Sequence, residues 1–422
     1  MKNRLDYFSF MRIIDTMKTR MLYLNIWRDL AADKRMIFLV GPRQAGKTTL
    51  ANMISEPFAN HLYFNWDIAD HRTAFLQNPT FFEAIERQDA SPPIVVLDEI
   101  HKYKDWKNYL KGIYDQFHDK YMFLISGSGR LDLYQKGGDS LAGRYFLFHL
   151  WPLTISELGN RNRGISGFLK NPLKMEMSET GELKEIWRAL SEFSGFPEPY
   201  MSGRKTTYRR WTNIYSQQLI REDIRDLTGI KSIVSLETLY FLLPSKVGSP
   251  LSISSLASDL KVSYNSVQNW LSALERFFLI FTIGPWTRKI SRAIQKERKL
   301  YLWDTPRIKE PGARFENMVA LELYRAVTGW NDMGYGTFSL HFIKNKEQQE
   351  VDFIVANDGD PVFLMEAKLA DTEPSSALRK FQNFLKIPAI QLVEKAGGYR
   401  LTPNGDQSIL IAPACQWLPN LP

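Results

Sequence analysis

Residues 36–50 combine an apolar run, a glycine-containing turn that ends in Gly-Lys-Thr, and a sequence able to continue as a helix. Glycines in such a turn let the backbone wrap a phosphate, and the amides at the start of the following helix face the bound anion. The spacing is that of a P-loop, or Walker A motif, in which Lys47 neutralises the β- and γ-phosphates and Thr48 brings its hydroxyl to Mg²⁺. We therefore predict ATP and Mg²⁺ as ligands. The predicted nucleotide-binding residues are Gly41, Pro42, Arg43, Gln44, Ala45, Gly46, Lys47, Thr48 and Thr49.

The composition is that of a globular protein that folds throughout most of its length. Hydrophobic residues make up 44% of the 422 positions, charged residues 24% and aromatic residues 13%, and a chain of this length is expected to form several domains. The formal charge of +8 is compatible with a polyanionic partner. The single cysteine, Cys415, excludes an internal disulfide and cysteine-based zinc sites, as expected in a reducing compartment.

No apolar run of the sequence reaches membrane-spanning length. The longest, 277–286, contains Gly284 and Pro285 near its end, which indicates a strand that leads into a turn. The amino terminus lacks the apolar core of a secretion signal. We therefore predict a cytoplasmic location and no membrane partner.

Short apolar runs alternate with helical stretches over the first 160 residues. This alternation predicts an α/β fold, a P-loop NTPase core with a parallel sheet and helices on both faces. The third run, 94–99, ends in Asp-Glu and supplies the second half of the nucleotide site, a Walker B motif. Asp98 is expected to hold the Mg²⁺ shell and Glu99 to polarise the attacking water, so hydrolysis is predicted as well as binding. The predicted strands are 36–40, 61–65, 94–98, 122–126 and 145–150.

Two further features could act on the γ-phosphate. If the fourth strand lies between the first and the third, the hydroxyl of Ser126 or Ser128 would lie beside the γ-phosphate and sense its presence. Arg144, just before the fifth strand, could stabilise charge on the transferring phosphoryl group, from a neighbouring subunit in many such sites. A plain surface arginine fits the same spacing.

Several motifs along the chain occur together. They are Gly41-Pro-Arg-Gln-Ala-Gly-Lys-Thr, Leu97-Asp-Glu-Ile, Ile125-Ser-Gly-Ser, Ser140-Leu-Ala-Gly-Arg, Trp151-Pro-Leu-Thr-Ile-Ser-Glu-Leu and Gly195-Phe-Pro-Glu-Pro. In these motifs the chain resembles, over nearly its whole length, the prokaryotic AAA-type ATPases that carry a carboxyl-terminal domain of unknown function, DUF4143. The resemblance implies an AAA-like core whose sensor strand separates the two Walker strands, Arg144 as an arginine finger, and a homo-oligomer.

The middle of the chain is predicted to hold an insertion and helical lid (161–232) and a winged helix-turn-helix (233–303), with 160–184 as a loop or mobile insertion. In the expected third helix, Val267, Leu271, Leu274 and Phe278 share the buried face, which leaves a polar face formed by Tyr264, Asn265, Gln268, Asn269 and Ser272. The connection between the two wing strands carries cations that could follow a phosphate backbone: Arg288, Lys289, Arg292, Lys296, Arg298 and Lys299. This surface predicts DNA as a partner, although winged helices also serve protein contacts and intramolecular packing.

Residues 311–369 contain a second constellation of charged residues. The strands 350–355 and 362–368 are expected to form a hairpin, in which Glu366 and Lys368 share one face and Asp352 of the opposing strand meets them. Asp352 and Glu366 would grip a divalent ion, and Glu316 from the preceding helix could extend the metal shell. Lys368 could orient or deprotonate a water, which is the chemistry of phosphodiester hydrolysis.

The order Glu316, Asp352, Glu366-x-Lys368 resembles the PD-(D/E)XK nucleases, especially their resolvase-like branch. The resemblance implies a restriction-endonuclease-like α/β domain in which these four residues form the metal and catalytic set, with Gln382 on the next helix as a weaker addition. The chain departs from the namesake motif because Glu350-Val-Asp352 replaces Pro-Asp.

The sequence thus divides into segments with distinct predicted roles: an amino-terminal helical segment (1–35), the ATPase core (36–160), the insertion and lid (161–232), the winged helix (233–303), the nuclease-like domain (304–402) and a tail (403–422). The proline-rich end of this tail, 413–422, is expected to be loose. The leading hypothesis is an ATP-hydrolysing protein that acts on or is regulated by DNA and has a nucleolytic carboxyl-terminal domain. The alternative is an ATP-dependent signalling or regulatory switch whose nuclease-like domain is inactive. Glu99 beside Asp98 and the long carboxyl-terminal half argue against a small-molecule kinase.

Overall fold

The tertiary structure, a computed structural model, describes residues 20–127, 141–159, 164–175, 180–224, 230, 232–287, 298–370, 373–395 and 398–422. The chain forms two compact units, Met1–Pro152 and Leu153–Pro422. Within the ranges described, no helix combines the length and the apolar character needed to cross a membrane.

The first unit is built on a parallel sheet. Its strands are β1 (Met36–Val40), β2 (His61–Asn65), β3 (Ile94–Asp98), β4 (Met122–Gly127) and β5 (Phe146–His149). Over the described part of the unit the strand order is β2-β3-β4-β1-β5. Strands β1 and β3 are buried along their whole length, as expected for apolar strands of a parallel sheet. Strand β4 lies between the two Walker strands, as the AAA resemblance implies.

Helices of the first unit pack on this sheet through apolar residues at helical spacing. They are α1 (Met21–Asp33), α2 (Lys47–Ser55), α3 (Ala69–Gln77) and α4 (Trp106–Phe117), with 3-10 turns at Phe81–Ala84 and Ile100–Lys102. On α4, Leu110, Ile113 and Phe117 lie in the same buried cluster as Phe38 and Leu97 of the sheet. The predicted P-loop core is therefore confirmed.

The second unit begins as a helical region. Its helices are α5 (Ile155–Leu158), α6 (Ile165–Lys170), α7 (Thr180–Phe193), α8 (Pro197–Ser202), α9 (Lys205–Gln218), α10 (Ile233–Leu242), α11 (Ile253–Leu260), α12 (Tyr264–Arg276), α13 (Pro311–Asp332), α14 (Ser376–Leu385) and α15 (Ala414–Trp417). A π-helical turn spans Leu219–Ile224, and 3-10 turns span Leu243–Lys246, Thr305–Arg307 and Leu418–Asn420. Helix α12 has the two faces expected of it, since Val267, Leu271 and Leu274 are buried while Asn265 and Gln268 are exposed.

A mixed sheet forms the rest of the second unit. Its strands are β6 (Ile280–Pro285), β7 (Lys299–Leu302), β8 (Phe338–Lys344), β9 (Glu350–Asn357), β10 (Asp360–Ala370), β11 (Ala389–Lys395), β12 (Arg400–Asn404) and β13 (Gln407–Pro413). In the described residues their order is β12-β13-β11-β10-β9-β8-β6-β7. Strands β8, β9 and β10 form an antiparallel meander, and α14 leads to β11, which runs parallel to β10. Strands β6 and β7 extend the same sheet, because β6 pairs with β8.

The carboxyl-terminal end is folded, which corrects the expectation of a loose end over 413–422 within the predicted tail (403–422). Residues 407–413 form β13, and the following α15 lies against the sheet. The Trp417 side chain is fully buried, with its indole N–H donating to the Pro172 carbonyl at 3.0 Å. The segment 160–184, expected to be a loop, likewise contains α6, whose Phe168 ring is buried against Trp417. Both segments are held by isolated aromatic residues, Phe168 and Trp417, within polar or proline-rich sequence. Isolated residues produce no periodic hydrophobic pattern, so the sequence did not indicate that these segments are packed.

We predict that Trp417→Ala destabilises the second unit by about 3–5 kcal/mol, because the substitution removes a fully buried ring and leaves a cavity. Urea unfolding followed by circular dichroism measures this change. Tyr399→Ala is the matched control, since the Tyr399 side chain is 51% exposed and its loss should change the free energy of unfolding by no more than about 0.5 kcal/mol. Equal unfolding midpoints for the two variants would contradict the packed position of Trp417.

Candidate functional site

The P-loop follows β1 and ends where α2 begins at Lys47. Gly41 has a φ of +153°, and a Cβ at this position would lie 2.1 Å from the Leu150 carbonyl oxygen, so the backbone path requires glycine. Gly46 has a φ of +96° at the start of α2. The Lys47 ammonium donates to the carbonyls of Gly41 at 3.1 Å and Pro42 at 2.7 Å. The loop thus holds a buried cation at the position where phosphate oxygens would replace these carbonyls.

Burial lowers the pKa of Lys47, and the nearby carboxylates of Glu99 and Asp98 partly offset that effect. A lysine in this environment gains strongly from an added anion, because a phosphate compensates the desolvation of the ammonium. The environment of Lys47 therefore suits the predicted phosphate contact.

Arg20, which sequence analysis did not identify, holds the P-loop in place through hydrogen bonds to backbone carbonyls. The Arg20 guanidinium donates to the Ala45 carbonyl and to the Trp151 carbonyl, each at 2.8 Å. The Arg20 side chain is buried, and its guanidinium lies 4.7 Å from the centre of the Tyr23 ring. Arg20 therefore ties the loop to the segment after β5. Nothing in the local sequence distinguishes this arginine from a solvated one, since its partners are far away along the chain.

Asp98 is the centre of a hydrogen-bond group at the end of β3. The Thr48 hydroxyl donates to Asp98 Oδ2 at 2.7 Å, and the Tyr63 hydroxyl donates to the same oxygen at 2.8 Å. The Asn65 amide donates to the Tyr63 hydroxyl at 3.0 Å. Burial and the Asp98 charge raise the pKa of Tyr63 to about 12. Thr48 and Asp98, the predicted Mg²⁺ ligands, are thus brought together, and their hard oxygen atoms fit that ion.

Glu99 adopts a left-handed backbone conformation, with a φ of +56°. Its N–H donates to the Ser126 carbonyl at 2.9 Å, which holds the backbone directly after β3 against β4. Glu99 Oε2 lies 3.4 Å from His101 Nε2 and 3.5 Å from Lys102 Nζ, and Lys102 is also paired with Asp67. Burial raises the pKa of Glu99, against the attraction of Lys102 and Lys47. The raised pKa increases the basicity of this carboxylate, as expected of a group that accepts a proton.

The other predicted residues of this site lie in defined places. Ser126 pairs in register with Asp98 on one side and Leu39 on the other, so it lies at the end of the central strand. Its hydroxyl is buried and has no hydrogen-bond partner among the residues described. Arg144 makes a bidentate ion pair with Asp115, at 2.6 and 3.1 Å. Ser128 lies outside the described residues.

A second charged cluster forms in the carboxyl-terminal unit. Asp352 Oδ2 accepts from the Ala367 N–H at 2.9 Å, so β9 and β10 are joined beside this carboxylate. The Lys368 ammonium lies 3.0 Å from Glu366 Oε1. Burial raises the pKa of Glu366, and Lys368 opposes that effect. The hairpin therefore brings the Glu366 and Lys368 side chains together, as side-chain alternation predicted.

The prediction that Lys299 follows a phosphate backbone is wrong, because this residue, at the start of β7, is buried among carboxylates. Its Nζ lies 2.6 Å from Glu350 Oε1, 3.3 Å from Glu316 Oε1 and 3.7 Å from Asp352 Oδ1. The Lys299 side chain is 1% exposed. The carboxylates raise the pKa of Lys299 even though burial lowers it. This lysine is therefore a counter-ion inside the protein.

The remaining predicted wing cations are distributed differently. Arg298 is exposed and donates to the Thr282 carbonyl at 3.0 Å. The others, Arg288, Lys289, Arg292 and Lys296, lie outside the described residues.

Tyr301 is a further residue of the cluster that the sequence did not identify. Its hydroxyl donates to Glu316 Oε1 at 2.8 Å. Burial raises the pKa of Glu316 to about 7, with Asp352 adding to the effect. Gly248 closes one side, since a Cβ there would lie 2.8 Å from Glu316 Oε2. Across the described ranges, no group of three or more His, Cys, Asp or Glu side chains has the arrangement needed to hold a metal ion.

Family models match three consecutive parts of the chain, and the first of them spans the P-loop segment. Residues 33–159 match the AAA domain family, residues 184–306 a domain of unknown function (DUF8612) and residues 311–412 the domain of unknown function DUF4143. Uncharacterized proteins of Mycobacterium bovis and Mycobacterium tuberculosis are each 22% identical over 360 residues, which cover 79% of this chain and 72% of theirs. A solved Walker-type ATPase of Pyrococcus abyssi has 14% identity and a TM-score of 0.42 over 68% of this chain and 94% of its own. Residues 33–159 are thus similar to AAA domains, and residues 311–412 are similar to DUF4143 domains.

Proposed function

We propose that this protein is a Mg²⁺-dependent ATPase that works as a nucleotide-controlled switch. The observation that carries the proposal is the contact between Thr48 and Asp98, 2.7 Å apart, with Glu99 directly after Asp98 and Lys47 directly before Thr48. Mg²⁺, when bound, would neutralise the β- and γ-phosphate oxygens. Lys47 would leave its loop carbonyls for those oxygens, and Glu99 would orient and deprotonate the attacking water.

Two residues would couple hydrolysis to the rest of the molecule. The buried Ser126 hydroxyl would take the γ-phosphate as its hydrogen-bond partner. Arg144 would act on a neighbouring subunit of a homo-oligomer after exchanging its ion pair with Asp115 for the transferring phosphoryl group. Because that pair is partly exposed, exchanging it has a small energetic cost.

We propose DNA as the partner that this switch controls or responds to. Support comes from the winged-helix order of α10, α11, α12, β6 and β7 and from the exposed polar face of α12. Amide side chains on such a face can contact base edges and phosphates. The net charge of +8 favours association with a polyanion.

For the carboxyl-terminal domain, we propose a nuclease-like fold. The antiparallel meander of β8, β9 and β10 and the parallel return through α14 to β11 support it. The position of Lys299 among the carboxylates favours the inactive form of this domain, because phosphodiester cleavage of this type requires a divalent ion at the same oxygens.

The test of these proposals is ATP turnover with Mg²⁺, alone and with single-stranded, duplex and branched DNA, while strand cleavage is scored in the same tubes. Asn265→Asp/Gln268→Glu places two charges on the exposed face of α12 and should weaken DNA binding at least tenfold, because each new carboxylate repels phosphate. Asn213→Asp/Gln217→Glu makes the same charge change on the exposed face of α9 and should have little effect. DNA that neither binds nor alters turnover would rule out the DNA proposal.

A further inference from the structure

The carboxylate cluster of the second unit contains its own cation. Three carboxylates, from Glu316 of α13 and from Glu350 and Asp352 of β9, surround the Lys299 ammonium at 2.6–3.7 Å. The ammonium is almost completely buried. A buried lysine keeps its charge only when partners compensate its desolvation, and three carboxylates supply that compensation.

The distances in this cluster suit an ammonium group. Charge-assisted N–H···O contacts lie at about 2.7–2.9 Å, whereas Mg²⁺ requires oxygens at about 2.0–2.1 Å and Ca²⁺ at about 2.3–2.6 Å. The Lys299 ammonium has three N–H donors that point in different directions, so the carboxylates around it are spread apart. Two of the carboxylate oxygens, from Glu316 and Asp352, lie more than 3 Å from Lys299 Nζ. A bound divalent ion would need these oxygens closer together, in the space that the ammonium now fills.

A fourth carboxylate, Glu366, lies in the same group of charges and is paired with Lys368 through its Oε1. Glu366 is 3% exposed, and its Oε2 has no hydrogen-bond partner among the residues described. Asp352 acts electrostatically on both Glu366 and Glu316, so Glu366 belongs to the same group of charges. A buried carboxylate oxygen without a donor is costly, so Glu366 could serve as a further oxygen ligand for an ion that takes the place of the Lys299 ammonium.

We propose that Lys299 is a built-in cation that occupies the divalent-ion position of this carboxylate site, so that the site binds a divalent metal only when Lys299 is removed. The inference concerns the regulation of the nuclease-like site and rests on the proposed function for that site. It assigns Lys299 a positioning role, because the lysine acts through the carboxylates that it holds.

The test is a Mn²⁺ titration of the full-length protein, without nucleotide, followed by the electron paramagnetic resonance signal of free Mn²⁺. Asp98→Asn is present throughout, so that the P-loop site does not contribute. With Lys299 in place, no Mn²⁺ should bind in the sub-millimolar range. With Lys299→Met added, one Mn²⁺ should bind at least tenfold more tightly, and Glu350→Gln should abolish that binding.

Lys344→Met is the matched control, because Lys344 also pairs with Glu350, at 3.5 Å, but is partly exposed. The Lys344→Met substitution removes one positive charge, as Lys299→Met does, but it leaves the Lys299 ammonium between the carboxylates. It should therefore not create a Mn²⁺ site. Mn²⁺ binding to the Lys299-containing protein that disappears on Asp352→Asn overturns the proposal, as does a folded Lys299→Met variant that binds no better than its parent.

If Lys299→Met does not fold, the titration of the Lys299-containing protein decides alone: binding lost on Asp352→Asn overturns the proposal, and no binding supports it. ATP turnover and DNA binding of the unaltered chain are measured separately, so failure here is distinguishable from failure of the proposed function.

Discussion

Lys47→Ala is expected to lower kcat for ATP hydrolysis about 10²–10³-fold, the effect typical of removing one preorganised donor to a charged transition state. The physical reason is specific to this loop. The Lys47 ammonium is buried and bonded only to backbone carbonyls of the loop in the contacts that the structure gives it, so it is positioned to transfer to phosphate oxygens. Phosphate release measured at saturating MgATP, with ATP binding measured separately, checks this expectation.

The matched control is Lys104→Ala. Lys104 is exposed and belongs to the same unit, so its removal changes the net charge equally without touching the loop. Turnover should stay within about twofold of the unaltered protein. Equal turnover in Lys47→Ala and Lys104→Ala would mean that the P-loop is not a hydrolytic site.

Glu99→Gln is expected to retain ATP binding while kcat falls about 10²–10⁴-fold, the range attributed to general acid–base catalysis. The amide has the same shape as the carboxylate but accepts no proton from water. The contact between the end of β3 and β4 should survive, because the Glu99 N–H and not its side chain makes the bond to the Ser126 carbonyl. A binding assay with labelled ATP, run beside the turnover assay, separates the two effects.

Glu83→Gln controls for the loss of one carboxylate in the same unit, since Glu83 is exposed. Its turnover should be close to that of the unaltered protein. Should Glu99→Gln hydrolyse ATP within about twofold of the unaltered rate, another residue activates the water and the proposed role of Glu99 is wrong.

The ATPase core was predictable from the sequence because its signals are local. A five-residue apolar run such as Met36–Val40, followed directly by a glycine-containing turn, favours a short, fully buried strand over a helix. Arg20 was not predictable, because its acceptors, the carbonyls of Ala45 and Trp151, are set by the tertiary fold.

The carboxyl-terminal cluster was predictable only in part. Glu366 and Lys368 come together because side chains two residues apart on a strand share a face. Lys299 lies in a run of cations that resembles a solvated surface, and only the pairing of β7 with β6 turns it inward to the carboxylates of Glu316 and Glu350. The sequence shows that Lys299 is charged, but it does not show which strand β7 pairs with, and that pairing decides whether the lysine is buried.

The shared sheet of the second unit has a consequence for how this region responds to force and to denaturant. Strand β6 joins the α12 helical region to β8, and β7 contributes Lys299 to the carboxylates on β9. Elements that are joined by backbone hydrogen bonds and by a buried ion pair tend to unfold together as one cooperative unit. We infer that the helical region and the carboxylate strands form a single cooperative unfolding block, so strain applied at α12 would be transmitted to Lys299 through the backbone.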